Sequence, residues 1–303
     1  MADPKLSRFG VIKETFKEFS SDDCSSTAGA LAYFTVLSLP PLLVVIVAIA
    51  GFIFGREAVQ GEISAESSQL IGPAAARTIE DMIENAFQRP GLSSAAGFIG
   101  LATLLLSATG AFMQLQRALN KPWEVAPDPE QGGIRGFVFK RLLSFGMILM
   151  VAFLMLVSLV ISAAMSAFGD LLADRLPTEQ ARYAVWGLNL LIPFGIIAFL
   201  FATIFKYLPD AEISWRQVWI GGVFTAQLFV IGKFALGFYL GKSDPGSTYG
   251  AAGSLIIVLI WIYYSSLILL LGAEFTQVWA CRHGAQICPS PGAFHIVRET
   301  RTA

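Results

Sequence analysis

Long apolar stretches separated by short polar ones dominate the chain. Six of them are long enough to cross a bilayer as helices, which takes about 20 residues. The predicted spans are residues 28–54, 95–119, 137–168, 183–207, 218–240 and 251–280. The pattern therefore predicts an all-α fold, with a six-helix transmembrane domain over residues 28–281 between a polar arm, residues 1–27, and a polar tail, residues 282–303.

The arm itself has helical periodicity. Phe9, Ile12, Phe16 and Phe19 recur at helical spacing, with lysines and glutamates opposite them. This arrangement is typical of an amphipathic helix. Such a helix either lies on the membrane surface or packs on the end of the bundle, and the periodicity favours neither.

The loop at residues 56–94 is the longest connection between spans, and it is also predicted to be helical. Pro73 suits the first turn of a helix, and Ala75, Ile79 and Ile83 belong to an apolar stripe that follows it. We expect this outer loop to lie on the bundle or at the membrane interface, because a single stripe cannot bury itself. The tail at residues 282–303 is expected to be flexible.

Composition supports the membrane assignment. The chain is 55% hydrophobic and 14% charged, with a mean hydropathy of +0.63, whereas soluble domains carry about 25% charged residues. The net charge of -1 argues against a nucleic-acid partner, which normally requires a clustered basic excess. Membrane lipids are the expected surroundings, and an oligomer is compatible with the sequence.

Basic residues near the span ends predict the orientation. If both termini are cytoplasmic, the inner segments hold 14 lysines and arginines and the outer segments hold 6. We therefore expect both termini in the cytoplasm and the loop at residues 56–94 on the outside.

One acid, Glu274, lies within the last apolar run. An ionisable residue in such a run is costly and is a functional-site candidate by default. Glu274 is 22 residues into its span, about 33 Å from the outer side, which predicts an inner polar cluster. Its expected members are Glu274, Arg117, Lys140, Arg141 and Lys206. The plain alternative is an interfacial ion-pair network that ties helix ends together.

A second polar layer is predicted near the outer side, where Lys233 and Asn189 lie. Lys233 would lie about 20 Å from Glu274 along straight helices, so the two are not expected to pair. Snorkelling of Lys233 toward the outer interface is the alternative to a functional role. Gly237 and Gly241 have a GxxxG spacing that permits close helix approach, although isolated instances are weak evidence.

The first span contains Ser38, Pro40 and Pro41 near the bilayer midplane. Each proline removes a backbone donor, which predicts a kinked or broken helix of the kind that transporters use for binding. Candidate cavity-lining residues are Tyr33, Trp261, Tyr264 and Ser265. Small and hydroxyl residues also mediate plain helix packing.

Several stretches resemble the YihY/BrkB family of bacterial inner-membrane proteins, formerly called ribonuclease BN. The resemblance covers about residues 26–280 and lies in Ala30-Leu31-Ala32-Tyr33, Ser38-Leu39-Pro40, Phe205-Lys206-Tyr207-Leu208-Pro209-Asp210, Tyr249-Gly250-Ala251, Trp261-Ile262-Tyr263-Tyr264-Ser265-Ser266 and Gly272-Ala273-Glu274. It implies a six-helix fold with cytoplasmic termini in the inner membrane. No reaction or substrate follows from it.

The former name can be compared with the residues that a ribonuclease needs. Metal-dependent RNA hydrolysis uses a cluster of histidines and carboxylates, but the only histidines are His283 and His295, both in the tail. With Cys281 and Cys288 they match no standard zinc spacing. We therefore predict no enzyme activity, no metal and no cofactor.

Three functions remain as hypotheses. The first is a transporter or exporter of an ion, small solute or lipid-like molecule, based on the two polar layers and the first span. The second is a structural envelope protein whose polar residues only pack. A membrane enzyme acting on lipids is the third, and it would have to use the neighbourhood of Glu274 and Lys206.

Overall fold

The computed structural model describes residues 8–71, 73–87, 110, 112–128, 179–243, 253–285 and 287–296. Its helices are α1 Arg8–Ser21, α2 Cys24–Phe54, α3 Arg56–Ile71, α4 Pro73–Phe87, α5 residues 112–120, α6 Glu179–Tyr207, α7 Trp215–Ser243 and α8 Gly253–Arg282. Four short strands are β1 Val125–Pro127, β2 Ala211–Glu212, β3 Cys288–Pro289 and β4 Ala293–His295. The predicted third span, residues 137–168, and most of the second lie outside the described residues.

Two of the described helices are long and apolar enough to cross a membrane: Trp215–Phe238 within α7 and the whole of α8, Gly253–Arg282. The apolar part of α6, Leu191–Tyr207, is shorter. Helices suit this setting because lipid offers no partner for backbone groups, which a helix satisfies internally.

The core lies where α8 packs against α2 and α7, and where α7 packs against α6. Gly222 of α7 permits one of these contacts, because a Cβ there would lie 2.5 Å from the carbonyl oxygen of Ala198 on α6. Leu31 of α2, Phe205 of α6 and Leu270 of α8 are fully buried in the same cluster as Ala198.

The first span differs from its prediction. Helix α2 runs from Cys24 to Phe54 without interruption, so the predicted break at Ser38, Pro40 and Pro41 is wrong. A membrane helix tolerates proline where neighbouring helices and hydroxyl groups satisfy the freed carbonyl groups. Here α8 packs along α2, and Ser38 is buried.

The segment between the first two spans forms α3 and α4, and α4 begins at Pro73. Ile79 and Ile83 of α4 and Val59 of α3 are buried in one cluster with Val47 of α2 and Val258 of α8. These two helices therefore cover one end of the bundle, which we call the far end.

The tail also differs from its prediction. β4 pairs antiparallel with β1, and β3 pairs antiparallel with β2, so residues 288–295 are ordered and not flexible. The loops after α5 and α6 supply the strand edges, and Gly292, at φ 85°, allows the turn between β3 and β4. These strands, α1 and the end of α8 form what we call the terminal end.

Candidate functional site

Glu274 lies on α8 with 1% of its surface exposed. The thiol of Cys24, the first residue of α2, donates a hydrogen bond to its Oε1 at 3.4 Å. A buried carboxylate is costly unless it is partnered or protonated. The residues around Glu274 therefore determine how costly a charged side chain is at this position of α8.

The turn between α1 and α2 brings Cys24 to Glu274. Asp23 has a left-handed backbone with φ 48°, which aspartate tolerates better than most residues. Its carboxylate accepts a hydrogen bond from the Ser26 hydroxyl at 2.8 Å, and its carbonyl accepts one from the Thr27 amide at 3.1 Å. Asp23 thus occupies the N-cap position of α2, where its carbonyl accepts the first helical hydrogen bond, and Cys24 is the first residue of the helix.

Lys121, just after α5, brings a cation to the same turn. Its Nζ donates to the Thr27 hydroxyl at 2.8 Å and to the Asp22 carbonyl at 3.4 Å. Asp22 and Thr27 are both buried. We call Glu274, Cys24, Asp22, Thr27 and Lys121 the Glu274 site. Its members come from α8, from the α1–α2 connection and from the end of α5.

Two reciprocal contacts between α7 and α8 fix the level of Glu274. A Cβ on Gly221 of α7 would collide with Thr276 of α8, and a Cβ on Gly272 of α8 would collide with Thr225 of α7. Thr225 donates to the Gly221 carbonyl at 2.7 Å, and Thr276 to the Gly272 carbonyl at 2.6 Å. We call this pair of contacts the Gly–Thr lock. Because Glu274 lies midway between Gly272 and Thr276, it is level with residue 223 of α7.

This level lies beyond a group of exposed aromatic residues. Tyr207, Trp215 and Trp219 are exposed near the terminal end, and tryptophan and tyrosine typically mark membrane interfaces. Residue 223 follows Trp219 by four residues and Trp215 by eight. Glu274 is therefore farther from the terminal end than Trp219 by about 6 Å and than Trp215 by about 12 Å.

The structure describes three of the five residues of the predicted inner cluster, Glu274, Lys206 and Arg117. Lys206 donates to the carbonyl of Ile213 at 2.6 Å. By the crossing at Gly222 it lies about 10 Å nearer the terminal end than Glu274. Arg117 is exposed, and Lys140 and Arg141 lie outside the described residues. Among the described residues, Lys121 is a cation close to the site, and no local sequence pattern predicts it because its partners Asp22 and Thr27 lie 99 and 94 residues away.

A separate polar network surrounds Asp210. Its carboxylate accepts hydrogen bonds from Gln116 Nε2 at 3.1 Å and from Asn120 Nδ2 at 2.9 Å. Its backbone amide donates to Asn120 Oδ1 at 2.8 Å, and its carbonyl accepts from the Ser290 amide at 3.0 Å. These bonds join α5, the end of α6 and the tail, which makes Asp210 a structural residue.

The outer polar layer is only partly described. Lys233 is half-buried and, by the register of the Gly–Thr lock, lies about 15 Å from the level of Glu274. That separation agrees with the expectation that these two residues do not pair. The side chain of Asn189 lies outside the described residues.

The residues predicted to line a cavity do not come together. Tyr33 lies on the exposed face of α2. Tyr264 lies against Gly232 of α7, where a side chain would collide with it, and Trp261 packs edge-on against Phe229 at 5.9 Å. The Ser265 hydroxyl is buried without a hydrogen-bond partner. Trp261 and Tyr264 thus serve the packing of α7 on α8.

Residues that ligate metals are not clustered in the described part of the chain, where no three His, Cys, Asp or Glu side chains lie close enough to hold an ion. The His283 ring bonds the Trp279 carbonyl at 2.8 Å. The His295 ring bonds the Ile287 carbonyl at 3.0 Å.

The apolar helices and the buried carboxylate define the class, a helical membrane protein with a polar site inside its bundle. Residues 15–293 match the family model described as virulence factor BrkB, and the chain belongs to that family. This confirms the resemblance seen in the sequence.

Curated relatives are bacterial membrane proteins. A UPF0761 membrane protein from Verminephrobacter eiseniae is 33% identical over 89% of this chain and 63% of its own length. Another, from Methylibium petroleiphilum, is 30% identical over 99% of this chain and 66% of its own length. A Bacillus subtilis relative named "Putative ribonuclease-like protein YfkH" is 25% identical over 94% of this chain and 99% of its own length. The chain thus spans less than two thirds of the first two relatives. No solved structure matches it.

Proposed function

We propose that the protein is a multi-pass transporter of the bacterial inner membrane, with cytoplasmic termini, that moves an ion, small solute or lipid-like molecule. One observation carries this proposal: Glu274 is 1% exposed and lies beyond the exposed tryptophans, toward the middle of the bilayer. An acid at greater depth is expensive and typically belongs to a substrate or ion pathway.

One partner of Glu274 among the described residues suits reversible binding. A thiol is a weak donor, so the Cys24 contact at 3.4 Å can be exchanged for a contact with a substrate group. Lys121 stands one step away, held by Thr27 and the Asp22 carbonyl. Because these partners belong to separate segments, a small shift of the α1–α2 connection would change the environment of the carboxylate.

The test is transport by reconstituted protein. We would record charge displacement in proteoliposomes on a solid-supported membrane after steps of Na⁺, K⁺ or pH, and follow flipping of a fluorescent phosphatidylglycerol in parallel. Glu274→Gln keeps the shape and removes the charge, and we expect it to abolish the signal while the folded protein remains in the membrane. Glu212→Gln, at an exposed position of β2, is the matched control and should leave the signal intact.

A structural envelope protein is the second candidate, and the Gly–Thr lock favours it because the lock holds α7 and α8 together on both sides of Glu274. In that case the wild type would give neither a current nor lipid flipping. Glu274→Gln would then change only the melting temperature.

We carry over no nuclease role from the name of the Bacillus subtilis relative. Both histidines of the chain bond to backbone carbonyls. A hydrolysis assay with a labelled RNA should therefore give no product above that of an empty-liposome control.

A further inference from the structure

Helix α1 has one face buried on the bundle. Val11 and Thr15 are almost fully buried, and Val11 belongs to a cluster with Phe275 and Val278 of α8. This face lies next to the Glu274 site in the chain as well as in space, because α1 leads directly into the turn at Asp23.

The neighbouring face of α1 is apolar and exposed. Ile12 is 44% exposed and Phe16 is 57% exposed, and each follows a buried residue by one position, so they lie about 100° further round the helix. Lys13 and Lys17 follow by one more position and are exposed as well. Going round α1 from the bundle, the surface is therefore first apolar and then cationic.

The charges of α1 are divided between the two sides. Glu14 and Glu18 are half-buried, whereas the exposed charged residues in the described part of α1 are Lys13 and Lys17. Lys17 lies 3.0 Å from Glu14 and 4.0 Å from Glu18, which as exposed pairs hold it weakly. Burial raises the pKa of Glu18 above its ordinary value. The charged side chains of α1 that extend furthest into the surroundings are therefore the two lysines.

The position of α1 along the bundle matches the membrane interface. Ile220 and Phe224 of α7 pack against the cluster that holds Val11. Ile220 follows the exposed Trp219 by one position, and Phe224 follows residue 223, the level of Glu274, by one position. A helix at this depth, with apolar residues on one side and lysines beside them, fits the boundary between acyl chains and headgroups. Lysines near such a surface attract anionic lipids.

We propose that α1 is a lipid-binding helix, in which Ile12 and Phe16 insert among the acyl chains and Lys13 and Lys17 bind the phosphates of anionic phospholipids. Charge complementarity selects this occupant, because a second copy of the chain would present the same cations. Lipid binding would also hold the α1–α2 turn in place, and with it the Cys24 thiol at Glu274. The proposal does not depend on transport.

The test uses the full chain with Cys281→Ser and Cys288→Ser and a fluorophore on Ser20→Cys, an exposed position on α1. A second label on Glu212→Cys, exposed in β2, is the reference. In nanodiscs with a headgroup-attached nitroxide quencher, we expect the Ser20 label to be quenched about twofold more in phosphatidylglycerol mixtures than in pure phosphatidylcholine. The reference label should not respond to lipid charge.

Two variant pairs separate the contributions. Lys13→Gln with Lys17→Gln should remove the response to phosphatidylglycerol and keep the quenching seen in phosphatidylcholine. Ile12→Ser with Phe16→Ser should reduce quenching in both lipids, and all four positions are exposed, so unchanged melting should show that the fold is kept. Equal quenching of the wild type in both lipids would overturn the proposal. A fall in oligomer mass in the Ile12/Phe16 variant, with quenching unchanged, would assign this face to a second copy and overturn it too.

Discussion

The two halves of α7 are both apolar, yet they differ in how closely the other described helices pack on them. In the half near the terminal end, Gly221, Thr225 and Ala226 are buried against α6 and α8. In the other half, Ile231 and Phe234 are 65% and 73% exposed. Lipid is as apolar as these side chains, so burying them against protein gains little. Among the described helices, small side chains rather than hydropathy therefore mark where α7 packs closely.

The same comparison explains why one sequence motif misled. Gly237 begins a GxxxG spacing, but it is exposed, and nothing lies within 4 Å of where its Cβ would be. The close approach occurs instead at Gly221 and Gly272, each followed four residues later by a threonine. A spacing on one helix predicts an interface only if the partner helix has a complementary spacing.

The largest expected effect comes from filling the Gly–Thr lock. Gly272→Ala would place a methyl group on the Thr225 hydroxyl, and overpacking of this kind costs about 1 to 3 kcal/mol. We expect the melting temperature in detergent, followed by tryptophan fluorescence, to fall by several degrees.

Gly237→Ala is the matched control in the open half of α7. Alanine favours a helix interior over glycine by about 1 kcal/mol, so this variant should melt at the same temperature or slightly higher. If both variants lost stability equally, the contrast between the two halves would be wrong.

A smaller loss of stability is expected from a substitution at Asp210, which removes a polar contact rather than filling a close one. In the wild type, Gln116 donates to one carboxylate oxygen of Asp210 and Asn120 donates to the other. Asp210→Asn replaces one of these oxygens by an NH₂ group, so that two donors would face each other. Leaving a buried donor unsatisfied costs about 1 to 3 kcal/mol. Chemical denaturation should show the loss, while Glu212→Gln, exposed in β2, should unfold like the wild type.

The motif that ends at Asp210 shows which features could be predicted from the sequence and which could not. The motif from Phe205 to Asp210 pointed to the family correctly, and the structure shows what two of its residues contact: Phe205 fills the core, and Lys206 bonds a backbone carbonyl. Glu274 was identified because an acid in an apolar run is costly wherever the helix packs. Its partner Cys24, 250 residues away, was missed because that contact depends on a left-handed turn at Asp23.

The depth of Glu274 relative to Lys206 also differs from the value predicted from the sequence. Counting residues from the outer start of the last span placed Glu274 level with Lys206, whereas the Gly–Thr lock and the crossing at Gly222 together place it about 10 Å further into the bundle. Residue counting requires knowing where each helix enters the membrane, and helix packing shifts that point. The strands of the tail were missed because two- and three-residue pairings have no periodicity to detect.

The hydroxyl groups of the lock should matter less than its glycines. Thr225→Val and Thr276→Val keep the volume but lose hydrogen bonds to carbonyls of their own helices. A hydrogen bond of this kind contributes about 0.5 to 1.5 kcal/mol. Each variant should therefore lower the melting temperature less than Gly272→Ala, and an equal loss would show that the threonine hydroxyl groups matter as much as the close approach at the glycines.

The smallest change in stability is expected from a substitution in the exposed half of α7. Phe234→Ala removes a side chain that is 73% exposed, and substitutions of this kind usually stay within about 0.5 kcal/mol. Melting and the oligomeric mass from light scattering should both match the wild type. A clear loss of either would mean that this half of α7 contacts a second copy of the chain.

The strand pairs of the tail have a consequence for biosynthesis. β1, at Val125–Pro127, pairs with β4, at Ala293–His295, and the 168 residues between Pro127 and His295 take roughly 8 to 34 s to translate at cellular rates. Until the tail leaves the ribosome, β1 and the Asp210 carbonyl lack their final partners. The nascent protein should therefore pass through a membrane-inserted intermediate whose terminal end is open, which is the state that insertion factors and quality-control proteases would encounter.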